Sequence, residues 1–195
     1  MRLLLGFEKP QKGAIYYDGR DINTLDPKSL RRCIGTVMQD GRLFTGDIYS
    51  NIVISAPWLT IDDAWEAARM AALDGDIRQM PLGMDTPITT DGKGVSGGQR
   101  QRILIARALV RKPKVLFLDE ATSALDNISQ HIVIENLARL KCTRIVIAHR
   151  LSTIQHCNRI IVLKEGRVAT EGTYEELKAR GYFPNENDKE HEKMY

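Results

Sequence analysis

The feature that most restricts the fold is a run of four apolar residues, Val115-Leu116-Phe117-Leu118, that leads directly into two adjacent carboxylates, Asp119 and Glu120. The run is short and Lys112-Pro113-Lys114 precedes it, so it reads as a strand buried on both faces. Successive strand side chains point to opposite sides, so Asp119 and Glu120 leave the strand end in different directions. One acid can then reach the hydration shell of a metal ion while the other addresses a water molecule. In open α/β sheets, ligands collect at the carboxyl ends of strands, where these two acids stand. The plainer alternative is a helix-capping acid beside a solvated neighbour, and the surrounding sequence decides between the two.

At 195 residues the chain fits one domain, which buries roughly 70% of the surface exposed by its unfolded form. A net charge of +3 is too small to argue for nucleic acid, because the basic residues are scattered among acids. Cys33, Cys142 and Cys157 show no C-x-x-C spacing and each lies near an apolar segment, so reduced, packed thiols in a cytosolic protein are expected. No apolar run approaches the roughly 20 residues of a membrane span, and Met1-Arg2-Leu3-Leu4-Leu5-Gly6 is too short for a signal peptide.

Along the chain, Ala14-Ile15-Tyr16-Tyr17 before Asp18-Gly19 predicts a strand entering a hairpin turn. Asp26-Pro27 reads as an N-cap and first helical residue of a short helix through Arg32, with a strand over Ile34–Met38. From Asp47 to Met80 the character changes, and Thr60 caps a segment over Ile61–Ala72; an all-helical insert is expected at about Gly41–Gly94, in which Trp58 and Trp65 are packing residues. A helix to about Val110 carries Arg100, Arg107 and Arg111 on one solvated or salt-bridged stripe. Beyond the central strand follow a helix over Asn127–Leu140, a strand over Thr143–Ile147 ending in Ala148-His149-Arg150, and a capping box at Ser152–Gln155. A hairpin about Glu165-Gly166, a last helix capped by Thr173, and a charged tail predicted to be disordered from Pro184 complete the chain. Alternating strands and helices predict a mainly parallel α/β sheet covered on both faces, with an antiparallel piece near the N-terminus.

Ser96-Gly97-Gly98-Gln99 at a helix start adds a second chemical signal. A helix N-terminus presents unpaired N–H groups and a partial positive charge that favour phosphate. Two glycines permit close approach to the backbone, and Ser96 offers a hydroxyl. A serine cap followed by flexible glycines remains the alternative.

The succession Ser96-Gly97-Gly98-Gln99, Leu116-Phe117-Leu118-Asp119-Glu120, Ser123-Ala124-Leu125-Asp126 and His149 resembles the ATP-binding-cassette ATPase family in order and spacing. It corresponds to that family's signature motif, Walker B strand with catalytic glutamate, D-loop and H-loop, and Gln39 at a strand end resembles the Q-loop glutamine. The stretches Met38–Ile48 and Ala148–Thr153 resemble exporter cassettes, in particular those of bacterial peptide (bacteriocin-type) export transporters.

The resemblance implies a P-loop NTPase-like fold over residues 1–183, with the helical subdomain at about 41–94. It implies ATP and Mg²⁺ as cofactors, bound between two ATPase domains. Asp119 and Gln39 then hold the magnesium shell, Glu120 is the general base, and His149 contacts the γ-phosphate. Ser96, Gly97, Gly98 and Gln99 face the nucleotide of the opposite chain, and Asp126 crosses between the chains. Partners are a second cassette and a transmembrane domain, with no nucleic acid, at the cytoplasmic face of the inner membrane. Function is ATP-driven export, with peptides the leading cargo.

The family's phosphate loop, G-x-x-x-x-G-K-S/T, supplies backbone amides and a lysine to the phosphates, and no such string occurs here. In the family, residues resembling Arg2–Gly6 follow that loop, so the chain is expected to begin just after it and to bind ATP weakly alone. A further departure is Asp91-Gly92-Lys93, where exporters commonly carry a glutamate. Two other readings stand beside the exporter: a soluble family member acting on nucleic acid or ribosomes, and a non-catalytic interaction module.

Overall fold

The computed structural model describes residues 1–89, 94–148 and 151–183, apart from the side chain of Ser152. The chain divides into two units, Met1–Ile147 and Ala148–Tyr195, each taken by itself below.

The first unit opens with the antiparallel pair β1 (Tyr16–Tyr17) and β2 (Arg20–Asp21). Its turn residues Asp18 and Gly19 have φ of 47° and 76°, the left-handed values that two-residue hairpins require. Asp26 caps α1 (Pro27–Arg32) by accepting the Ser29 N–H at 2.8 Å, with Pro27 in the first turn where its missing N–H costs nothing. β3 (Ile34–Val37) follows at once.

The insert comprises β4 (Gly46–Asp47), α2 (Ile48–Val53), α3 (Ile61–Met70), α4 (Asp74–Gln79) and β5 (Pro87–Ile88). Capping boxes at Asp47/Ser50 and Thr60/Asp63 start α2 and α3. Besides its helices, the insert carries the antiparallel pair β4–β5, which ties its two ends together.

Then come α5 (Gly97–Leu109), β6 (Val115–Asp119), α6 (Asn127–Ala138) and β7 (Thr143–Ile147). The sheet order is β3-β6-β7, all parallel, with Val37 opposite Leu118 and Asp119 opposite Ile147. β6 is therefore central, and Leu116, Phe117 and Leu118 are fully or almost fully buried, as the apolar run requires. α5 lies so close to β3 that a Cβ on Gly35 would stand 2.4 Å from the Ala108 carbonyl oxygen. Ile103 and Ile105 of α5, Val133 of α6 and Ile48, Ile52, Ala64 and Ile77 of the insert belong to one continuous core. That core joins the insert to the sheet layer.

In the second unit, α7 (Leu151–Ile154) is followed by the hairpin β8 (Ile160–Lys164) and β9 (Arg167–Gly172), then α8 (Tyr174–Ala179). Glu165 and Gly166 turn the hairpin with φ of 51° and 72°, and Thr173 and Glu176 form the capping box of α8.

The parallel α/β sheet, the helices and the antiparallel pieces expected from the sequence are all present. Local details differ. Ser152 lies inside α7 rather than ahead of it, so it is not the N-cap. Cys33 closes α1 on the surface rather than packing, while Cys142 and Cys157 are half-buried, and none of the three forms a disulfide. Trp65 packs against the core, but Trp58 is 68% exposed. The segments Asp91-Gly92-Lys93 and His149-Arg150 and the tail from Pro184 lie outside the described residues.

Candidate functional site

The pairing of β3 with β6 brings the carboxyl ends of both strands to one edge, and with them Gln39, Asp119 and Glu120. Gln39 Nε2 donates to Glu120 Oε2 at 3.2 Å. Asp119 ends β6 opposite Ile147, half-buried. Glu120 turns the chain out of the strand with φ of 50°, a left-handed conformation uncommon for a residue with a Cβ. Its N–H donates to the Ile147 carbonyl at 3.0 Å, so the end of β7 fixes the start of this turn.

The loop from Glu120 to Asp126 is tight. The Ser123 N–H donates to the Glu120 carbonyl at 3.1 Å and the Leu125 N–H to the Thr122 carbonyl at 3.2 Å. From α5, Gln101 Nε2 donates to the Glu120 carbonyl at 3.1 Å, while Gln101 Oε1 accepts the Ala124 N–H at 2.8 Å. Asp126 caps α6 by accepting the Ser129 N–H at 2.9 Å, and this bonding holds its carboxyl below the ordinary aspartate pKa.

Ser96 and Gln99 form a reciprocal capping box at the start of α5: Ser96 Oγ accepts the Gln99 N–H, and Gln99 Oε1 accepts the Ser96 N–H. Gln99 Nε2 also donates to Asp76 Oδ1 at 2.9 Å. Asp76 in turn pairs with the buried Arg102 at 2.8 Å, and Arg102 donates to the Ala72 carbonyl as well. The Gln99 amide thus joins the turn to the insert. Among the described residues nothing occupies the place of a Cβ on Gly97, so their packing does not demand glycine there, and the open side leaves room for a ligand at the backbone. Gly98 faces the Glu120–Asp126 loop, with the Ala124 carbonyl oxygen 3.4 Å from the place of its missing Cβ.

Of the arginine stripe, Arg100 is exposed, but Arg107 is not solvated as expected. Its guanidinium donates to the Asn51 carbonyl and side chain at 2.8 and 2.7 Å and to the Arg42 carbonyl at 2.9 Å, and it lies over the Phe44 ring, 5.2 Å from the ring centre. Burial lowers its pKa to about 10, so it keeps its charge at neutral pH. Arg107 therefore fastens the segment after Gln39 to α5.

The structure gathers Gln39, Asp119 and Glu120 at one sheet edge and sets the Ser96–Gln99 turn beside the loop that ends in Asp126. His149 lies outside the described residues. Asn51, Gln101, Arg102 and Arg107 are the bracing side chains whose roles went unread in the sequence. Gln101 stands three residues after Gly98, on the same helical face, and that spacing was the available signal. Among the described residues no group of three or more His, Cys, Asp or Glu could hold a metal unaided. The Asp119 carboxylate and the Gln39 amide oxygen do suit Mg²⁺, which takes one or two carboxylates and completes its shell with water and phosphate oxygens.

Comparisons with known proteins find similar sequences and a similar fold. The ABC transporter family matches residues 1–123. The alpha-hemolysin translocation ATP-binding protein HlyB of Escherichia coli O157:H7 is 46% identical over 178 residues, covering 90% of this chain and 25% of that protein. The leukotoxin translocation ATP-binding protein LktB of Mannheimia glucosida is 44% identical over 179 residues, with the same coverage. The structure of a bacterial Atm1-family ABC exporter with ATP bound matches with a TM-score of 0.88 and 39% identity, over 92% of this chain and 32% of that one. The chain spans about a quarter of the length of the curated relatives it matches.

Proposed function

The chain belongs to the ABC transporter family, and we propose that residues 1–183 form the ATP-hydrolysing domain of a membrane exporter. The observation that carries this reading is the hydrogen bond from Gln39 to Glu120, which joins two strand ends at the edge where α/β sheets bind ligands. Glu120 acts as the general base, polarising the water that attacks the γ-phosphate. Gln39 orients the Glu120 carboxylate through its amide N–H, and its carbonyl oxygen joins Asp119 in holding Mg²⁺. The ion supplies neutralisation of phosphate charge, and phosphoryl transfer depends mainly on such neutralisation and on positioning.

Ser96, Gly97 and Gly98 present helix N–H groups to a γ-phosphate held on a second ATPase domain, and Gln99 keeps that turn in place. Asp126 lies at the junction with the second domain, and the family resemblance assigns His149 a γ-phosphate role. The 195 residues hold no G-x-x-x-x-G-K-S/T string, so by themselves they offer the water-activating side of a site and weak affinity for ATP. No helix among the described residues is long and apolar enough to cross a membrane, so export calls for a transmembrane partner, with this domain at its cytoplasmic face.

Peptide is the proposed cargo, supported by relatives whose names specify alpha-hemolysin and leukotoxin translocation. The test is ATP-driven uptake of a polypeptide into inverted membrane vesicles bearing the natural full-length protein that contains these residues. Uptake that stops on Glu120→Gln supports the proposal; uptake that continues unchanged contradicts it.

A further inference from the structure

Glu120 occupies a backbone conformation that residues with a Cβ seldom adopt, with φ of 50°. Such a conformation persists only where neighbouring groups fix it. The Ile147 carbonyl accepts its N–H from one side. On the other side, Gln101 is bonded at both ends of its amide. Its Nε2 donates to the Glu120 carbonyl at 3.1 Å and lies 3.4 Å from Ser123 Oγ, while its Oε1 accepts the Ala124 N–H at 2.8 Å. One side chain therefore closes the ring from α5 to the first and fifth residues of the loop.

Neither partner is local. Gln101 lies 19 residues before Glu120 and 23 before Ala124, so the bonds exist only because α5 docks on the sheet. We propose that Gln101 is a positioning residue for hydrolysis, which holds the backbone of Glu120 so that its carboxylate meets Gln39 and the attacking water. The inference rests on Glu120 being the base. Because Gln101 sits on the first turns of α5, it also links the helix that begins at the Ser96–Gln99 turn to the backbone of the base.

Removing the amide while keeping its bulk isolates this role. Gln101→Met preserves side-chain length and lacks the hydrogen bonds of the amide. In the natural full-length protein it is expected to lower kcat about tenfold to a hundredfold, because small misplacements of a reacting group carry losses of that order. KM for ATP-Mg should stay within about twofold, since the interaction lost does not contribute to ground-state binding. The melting temperature should change little. Gln101→Glu, which retains an acceptor for the Ala124 N–H but sets an oxygen against the Glu120 carbonyl, should lose turnover in the same way.

An unchanged kcat in Gln101→Met, or a raised KM at full kcat, overturns the proposal. Failure of both variants to fold overturns it too, since Gln101 is then a structural residue only. Glu120→Gln measured in parallel separates the two levels. If it keeps turnover, the base assignment fails; if it abolishes turnover while Gln101→Met does not, only the positioning role fails.

Discussion

Gln39 and Glu120 lie 81 residues apart in sequence, yet the Gln39 side-chain amide donates to the Glu120 carboxylate at 3.2 Å. Parallel pairing of β3 with β6 creates that contact, because it ends both strands at the same level. Whatever one side chain does to the other is therefore set by sheet register, and each can be altered separately.

Substitution of Gln39 should separate charge from geometry. Gln39→Glu puts a second carboxylate at this distance, and like charges so close resist ionising together. The acid limb of the pH–rate profile is expected to move to higher pH. Gln39→Ala should lower kcat about tenfold and leave that limb in place. The two profiles are compared directly; an unmoved limb in Gln39→Glu shows that the side chains do not meet during turnover.

Gly35 reports on the seat of α5 against the sheet. A methyl group there meets the Ala108 carbonyl oxygen at 2.4 Å, Leu116 Cδ1 at 3.0 Å and Pro113 Cγ at 3.1 Å. The first of these is backbone and cannot swing away. Gly35→Ala is expected to lose about 1–3 kcal/mol in chemical denaturation, as overpacking commonly does. Wild-type stability would mean that α5 stands further from β3.

Much of this arrangement was legible in residue order. The run Val115–Leu118 could be little other than a buried strand, and the acids that end it lie at the sheet edge as its polarity demanded. Caps at Asp26, Thr60, Ser96 and Thr173 are local chemistry, each bond spanning three residues, so sequence reveals them directly. Pairings made by docking left no such trace. Arg107 looked like part of a solvated stripe because nothing in its helix shows that the Arg42–Phe44 segment folds over it. The bonds of Gln101 are likewise invisible in sequence, because their partners lie 19 and 23 residues away. β4 and β5, with two residues each, are too short for any periodicity to register.

Acid sensitivity follows from the caps. The Asp126 carboxyl is held below the ordinary value of 3.8 by its bonding to Ser129, and Asp26 and Asp63 are lowered likewise by Ser29 and Thr60. A depressed folded-state pKa adds stability that is present above the unfolded value and fades as pH falls through the folded one. Asparagine caps a helix too but has no proton to gain. Asp126→Asn should therefore melt close to wild type at neutral pH and lose less stability between about pH 5 and about pH 3. Thermal melts across that range check this, and an equal acid loss in both proteins removes Asp126 from the account.

The most direct test of Glu120 as the base is single-turnover hydrolysis of ATP-Mg by the natural full-length protein and its Glu120→Gln variant, with nucleotide affinity measured on the same samples. The glutamine keeps the shape and cannot take a proton. Affinity is predicted to stay within about twofold while the hydrolysis rate falls at least about a hundredfold. Hydrolysis at close to the wild-type rate would contradict the account.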